Sequence, residues 1–405
     1  MAKINNDHDA VIVSAKRSPI GRLRGALSSV RPDDLLAAVL RAAVDDAGID
    51  PIEIDEVVAG AANQAGEDNR NVARMALLLA GFPDTVPGVT VNRLCASGLE
   101  AVVQAARGIW SGEFNVAMAG GVESMSRAPW VMAKPDMGLP SGVPQMFDSA
   151  LGWRFHNLSM EDLFPLEAMG ETAENVAARY GISRSAQDAF ALLSHQRAVK
   201  AESKGAFDKE RVGIAVAQKK GDAIHVLKDE GPRPETTLEK LSQLKPAFRQ
   251  NGSVTAGNSS SLNDGAAALA LTSRAFARAH GLRVRAVIRG GRAVGVDPRF
   301  MGLGPIPATS KLFKQLGLTA KDMDAVELNE AFAAQTIAVM RELDLDEEKT
   351  NFYGGAIALG HPLGCSGARI LTTLLSVLER QEGTLGLATM CVGVGQGLSV
   401  VIERE

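Results

Sequence analysis

Short β-branched runs alternate with helix-like stretches twice along this 405-residue chain, once before residue 125 and again from about residue 284. That alternation constrains the fold to sheets fed by crossover helices. In the first series AVIVSA (10–15), DEVVAGAA (55–62), VTVNRLC (89–95) and VAMAGG (116–121) read as strands, with helical spacing over 33–47, over 72–79 and after Ser97. The second series holds VRAVIRG, AVELN (325–329), LGLATMC (385–391) and LSVVIE (398–403), with helices near 310–316, from Ala331 and from Ser366. Ser97-Gly98 and Ser366-Gly367 each open a helix that leads to a strand and a glycine-rich turn, so the two series read as related halves.

Between them, residues 126–250 are rich in Met, Pro, Gly and charge, with helical apolar spacing at 171–180 and 185–204. This reads as an insertion able to cover a site. The organisation expected is an N-terminal half over 1–125 and 251–283, an inserted loop domain over 126–250, and a C-terminal half over 284–405. A hydrophobic content of 46% supports a sizeable core, and a formal net charge of -4 points to no nucleic acid or anionic membrane partner. The opening MAKINNDHDA lacks the apolar centre of a signal peptide, and no long apolar run follows. The three cysteines are too far apart for a disulfide framework or a paired metal site, so the expectation is a cytoplasmic protein with no metal.

Cys95 stands where a strand runs out and a helix starts, and the free amides and dipole of that helix would favour its thiolate. A buried structural cysteine is the competing reading. His361 lies in GGAIALGHPLGCSGAR (354–369), where glycines and proline fix an irregular backbone, and it is the one candidate base. The other five histidines, His195 among them, read as surface residues. Cys391 ends an apolar strand and enters CVGVGQG, whose glycines permit close approach to a ligand, although many strand turns carry glycines. Cys365 reads as filler. Asn329 is a plausible helix cap and equally a holder of a water or a substrate oxygen.

Taken in order, NRLCASG, GGVESMS, VTAGN, NEAFA, GGAIALGHP and CVGVGQG resemble the motifs of the thiolase family in sequence and approximate spacing, over nearly the whole chain. The resemblance implies an α/β fold of two duplicated βαβαβαββ halves, layered α-β-α-β-α, with an inserted loop domain. It implies that Cys95 is the nucleophile, that His361 takes its proton, and that Cys391 is the acid/base. One oxyanion site would comprise His361 and a water held by Asn329, the other the amides of Cys95 and Gly393. Coenzyme A would be a substrate rather than a resident cofactor. Its contacts would map to Arg233, Phe248, Ala256, Ser260, Leu262 and Phe332, with Met169 and Met301 along the pantetheine and acyl region. The resemblance also implies a homodimer or homotetramer.

Within the family, residues 63–81, GWRF at 152–155 and CVGVGQG most resemble the β-ketoadipyl-CoA thiolases of aromatic-acid degradation. The implied reaction cleaves 3-oxoadipyl-CoA with coenzyme A to succinyl-CoA and acetyl-CoA. The free carboxylate of that substrate calls for a cation, and Arg70 or Arg154 is the expectation. Three positions depart from the family pattern: Tyr353 for Asn, Ser261 for Gly and Ala168 for His, of which Tyr353 is expected to alter the pocket. The alternatives are an acetoacetyl-CoA or fatty 3-ketoacyl-CoA thiolase and, more remotely, a silent acyl-CoA or lipid carrier. A ketosynthase is disfavoured because that class places histidine where this chain has Cys391.

Overall fold

The computed structural model describes residues 7–135, 138, 143–150 and 152–405. The sequence readings for positions 1–6 and for 136, 137, 139–142 and 151 of the insertion lie outside the described residues. Strands β1 (Ala10–Arg17), β2 (Glu56–Gly60), β3 (Gly88–Val91), β4 (Val116–Ser124) and β5 (Asn263–Ser273) build the first half, with β6 (Ala286–Gly295), β7 (Ala325–Leu328), β8 (Leu385–Val392) and β9 (Gln396–Arg404) in the second. Their order is β7-β8-β9-β6-β1-β5-β4-β2-β3, and the halves join where β1 pairs antiparallel with β6 at Val11↔Val287 and Ile12↔Ala286. A parallel bridge from Val326 to Thr350 stands in the second half where β3 stands in the first. Read outward from the junction, the two halves therefore repeat one strand order, with the duplication visible in the hydrogen bonding itself.

Helices α1 (Pro32–Ala47) and α2 (Val72–Leu79) pack together on the first half, and α1 lies on β5 and β1. Their counterparts α6 (Pro305–Leu316) and α7 (Ala333–Leu343) pack together on the second, where α6 covers β9 and β6. Between the two halves of the sheet, α3 (Ser97–Trp110) meets α8 (Leu363–Gln381), which completes the five layers. These two helices cross at backbone contact near their N-termini. A Cβ on Gly98 would sit 2.6 Å from the Gly364 carbonyl oxygen, and one on Gly367 would sit 2.4 Å from the Leu99 nitrogen, so only glycine fits. The consequence is functional, because the crossing holds the loop before α3, with Cys95, against the loop before α8, with His361.

Within the insertion, α4 (Met169–Tyr180) packs on α7, and α5 (Arg184–Ser203) packs on α7 and on the short helix Ala356–Leu359. Both therefore lie over the part of the second half that precedes His361. Element ends differ from the sequence reading for local reasons. Pro305 opens α6 five residues early, as a proline in a first turn does. Phe332, not Asn329, is the N-cap residue of α7, so the capping role read for Asn329 is wrong. No helix among the described residues is long and apolar enough to cross a membrane.

Candidate active site

Cys95 lies in a single 3₁₀ turn, Leu94–Ala96, between β3 and α3. Leu94 is held at φ 45°, a left-handed conformation that costs a branched side chain energy and persists only where neighbours enforce it. They do so here. The Leu94 amide donates to Asn92 Oδ1 at 2.8 Å, and Ser97 Oγ donates to the Leu94 carbonyl at 2.7 Å. Arg93 reaches Glu100 at 2.8 Å and Gln396 at 2.8 Å, which ties the turn to the start of β9.

The turn packs between α8 and β8, and the backbone amides of Gly393 and of Cys95 itself act on the sulfur in the direction that favours its thiolate. Those are the two donors expected to form an oxyanion site. Cys391, on β8, is 1% exposed and shares an apolar cluster with Met301, Phe332 and Met169. Its proximity to Cys95 is registered electrostatically, because the Cys95 charge raises the Cys391 pKa.

The thiols are not acidic. Burial raises the Cys95 pKa against the help of the two amides, with Glu123 adding in the same direction. Desolvation therefore opposes the pull toward a thiolate expected from the end of α3. Burial likewise pushes Cys391 well above the ordinary thiol range and Cys365 up to about 12. Cys365 is fully buried in the core, consistent with filler.

His361 is oriented from both sides. Its backbone amide donates to Asn263 Oδ1 at 2.9 Å, after Gly360 turns the chain at φ 111°. Ser366 Oγ donates its one proton to the Pro362 carbonyl at 2.9 Å, so at 2.6 Å it accepts from His361 Nδ1–H. That leaves Nε2 unprotonated, with its lone pair facing Asn329 Nδ2 at 3.5 Å. Asn329 is fully buried, and its Oδ1 has no hydrogen-bond partner in the protein. Burial first, then Arg369, lower the His361 pKa to about 3, so the ring is neutral at physiological pH. Sequence reasoning missed Ser366 as a tautomer-setting residue; its place one helical turn into α8 was the available signal. Removing the hydroxyl in Ser366→Ala is expected to lower kcat roughly tenfold, the worth of one good hydrogen bond, with KM little changed; steady-state kinetics check it.

Among the remaining predicted residues, Phe248 meets Phe332 edge to face at 6.2 Å, and the Ser260 amide donates to Ala331. Arg233 and Ala256 are exposed on the surrounding loops and Leu262 is half-buried. Tyr353 corrects an expectation. Its ring packs on Phe207 at 5.7 Å and its hydroxyl pairs with Gln381 at the end of α8, about 22 Å along the axis from Ser366, so it does not shape this pocket. Ser261 donates to Asn263 Oδ1, the group that also holds the His361 backbone.

His195 is not on the surface as read. It is 5% exposed, accepts the Arg233 amide through Nδ1 at 3.2 Å, and burial lowers its pKa to about 4. The unfolded chain protonates His195 near 6.5 and the folded one only near 4, so its stabilising contribution is complete above 6.5 and is lost as pH falls between them. His361 adds to this down to about 3, whereas Glu123 and Glu327, raised by burial to about 7 and about 8, act with the opposite sign as pH rises. His195→Asn keeps an acceptor without a titrating ring. Thermal melts are expected to show it losing less stability than the parent from pH 7 to 4.5, by on the order of 2 kcal/mol.

The description "Thiolase, N-terminal domain" matches residues 10–275, and "Thiolase, C-terminal domain" matches residues 282–404. The chain is 54% identical to the β-ketoadipyl-CoA thiolase of Pseudomonas putida over 98% of its own length and 99% of the relative's. It is 53% identical to the 3-oxoadipyl-CoA/3-oxo-5,6-dehydrosuberyl-CoA thiolase of Escherichia coli K12, with the same coverage. The crystal structure of the Bacillus anthracis acetyl-CoA acetyltransferase superposes with a TM-score of 0.93 at 45% identity, covering 98% of this chain and 99% of that one.

Proposed function

The chain belongs to the thiolase family and is an acyltransferase, and from that premise we propose that it cleaves 3-oxoadipyl-CoA with coenzyme A to succinyl-CoA and acetyl-CoA. The observation that carries the substrate is full-length similarity, higher to thiolases named for this β-keto acid than to the acetyl-CoA acetyltransferase of known structure. That similarity also supports a place in the degradation of aromatic compounds.

In the proposed reaction, unprotonated Nε2 of His361 takes the Cys95 proton as the sulfur attacks the C3 ketone. The amides of Cys95 and Gly393 stabilise the oxyanion. The C2–C3 bond breaks, Cys391 protonates the departing acetyl-CoA carbanion, and succinate's acyl group remains on Cys95. Coenzyme A then gives its thiol proton to the Cys391 thiolate and attacks the acyl carbon; the C–S bond to Cys95 breaks, succinyl-CoA leaves, and His361 returns its proton to the released Cys95 sulfur. Buried, neutral groups suit this sequence, because a protonated Cys391 is an acid at the moment the carbanion forms. The other thioester oxygen would lie between His361 and a water on Asn329 Oδ1, whose missing protein partner supports that assignment. Coenzyme A would enter past Arg233, Phe248, Ala256, Ser260, Leu262 and Phe332, with Met169 and Met301 beside its reactive end.

A homodimer or homotetramer is part of the reading. It is supported by the unpaired edge of β3, where Val89 is 43% exposed and the nearby Leu78 and Leu79 are exposed as well. Three free thiols support a reducing compartment, the cytoplasm.

The test follows loss of the enolate absorbance of 3-oxoadipyl-CoA and of acetoacetyl-CoA on addition of coenzyme A. Preferential turnover of the first supports the reading. Preference for acetoacetyl-CoA would discard the substrate and keep the chemistry.

A further inference from the structure

Resting on the 3-oxoadipyl-CoA reading, we infer that Arg154, held by Asn63 and Ser149, is the site that binds the free carboxylate of the acyl chain. Arg154 is half-buried, and its two hydrogen bonds go to neutral acceptors: Nη1 to the Ser149 carbonyl at 3.1 Å and Nη2 to Asn63 Oδ1 at 3.0 Å. Among the described residues it faces no carboxylate. Other arginines are committed, Arg93 to Glu100 at 2.8 Å, Arg249 to Glu171 at 2.6 Å, and Arg127 to Glu67. Glu123, which is bonded to the Asn63 backbone, accepts the amides of Ala62, Asn63 and Gly364. A partly desolvated guanidinium fixed in place without a counter-ion is built for an anion that arrives from outside.

Two paths connect it to the reacting sulfur. On one side Ala62, next to Asn63, accepts Asn92 Nδ2 at 3.0 Å, and Asn92 in turn holds the Leu94 amide beside Cys95. On the other, Trp153 Nε1 donates to the Glu167 carbonyl at 3.1 Å, two residues before Met169, which closes on Gly393. Through these bonds Arg154 is tied both to the Cys95 turn and to the segment before Met169. Arg70, the other expected cation, is exposed, and its neighbour Asn71 bonds both the Gly88 carbonyl and Thr90 Oγ1 of β3. An exposed guanidinium keeps its hydration, so it gains less from an arriving carboxylate than half-buried Arg154 does.

The experiment compares kcat/KM for 3-oxoadipyl-CoA with that for 3-oxohexanoyl-CoA, a chain of equal length without the carboxylate. Arg154→Met is expected to lower the ratio of the two about 100-fold, and Arg154→Lys, which keeps the charge but not the fork, about tenfold. Asn63→Ala should lower it less, and Arg70→Met should leave it as it was. A ratio unchanged in Arg154→Lys and Asn63→Ala, with both substrates slowed alike, overturns the assignment and gives Arg154 a purely structural role. So does a selective loss in Arg70→Met. If the unaltered enzyme fails to cleave 3-oxoadipyl-CoA, the substrate reading falls and the arginine's role with it; if it cleaves well and only the ratio fails to move, the substrate reading stands alone.

Discussion

Cys95→Ala is expected to cut turnover of 3-oxoadipyl-CoA by on the order of 10⁴-fold or more and to leave the protein without an acyl adduct. The argument is that the reaction splits into two displacements at one sulfur. Without it, the amides of Gly393 and residue 95 can still bind an oxygen, but no covalent intermediate forms. Because Cys95 is only half-buried, the small cavity left should hardly move the melting temperature, which separates lost chemistry from lost fold. Intact-mass measurement after incubation with acetyl-CoA reads the adduct directly. An adduct that persists in Cys95→Ala, on Cys391 or Cys365, would show that the nucleophile has been misassigned.

The fold was legible wherever one face of an element meets a different environment from the other. Helix α2 over Val72–Leu79 falls where its spacing predicted, since one side is buried and the other exposed. Strand β5 escaped the reading for the opposite reason. Its eleven residues, NDGAAALALTS, are buried along their whole length between helices, so no alternation survives, and its alanines favour a helix as an isolated segment. Pairing with β1 and β4 overrides that preference. The repeated strand order was partly visible, but the Thr350 bridge that completes it is a single residue with no sequence signature.

At the site, Cys95, His361 and Cys391 stood out because glycines and breaks in the pattern surround them. Their ionisation did not. A helix end is visible in a sequence, whereas the depth at which a side chain finally lies depends on every layer packed over it. Desolvation opposes the dipole argument at Cys95, and the surface reading of His195 fails because that side chain is 5% exposed. Partners distant in sequence were equally hidden: Asn263 fixes the His361 backbone from 98 positions away. Arg154 was legible as a cation but not as one without a counter-ion, which takes the whole set of ion pairs to see.

Cys391→Ala should separate the two proton transfers from acyl transfer. The side chain is buried among Met169, Met301 and Phe332, and its raised pKa keeps it protonated, so it can protonate a carbanion in cleavage. Its conjugate thiolate, formed only transiently, is correspondingly a strong base for the α-proton of acetyl-CoA in the reverse direction. Loss of this group is expected to slow overall cleavage by about 10²–10⁴-fold. Exchange of deuterium from solvent into the methyl group of acetyl-CoA should fall at least as far. Acetyl transfer from acetyl-CoA onto Cys95 should fall less, because it breaks no carbon–hydrogen bond and the departing thiolate is a good leaving group. Equal losses in methyl exchange and acetyl transfer would mean that Cys391 serves the pocket's shape rather than its protons. Since alanine leaves a cavity beside Cys95, Cys391→Ser supplies the control: it refills most of the space with a far weaker acid, so recovery of both rates would also count against proton transfer by the thiol.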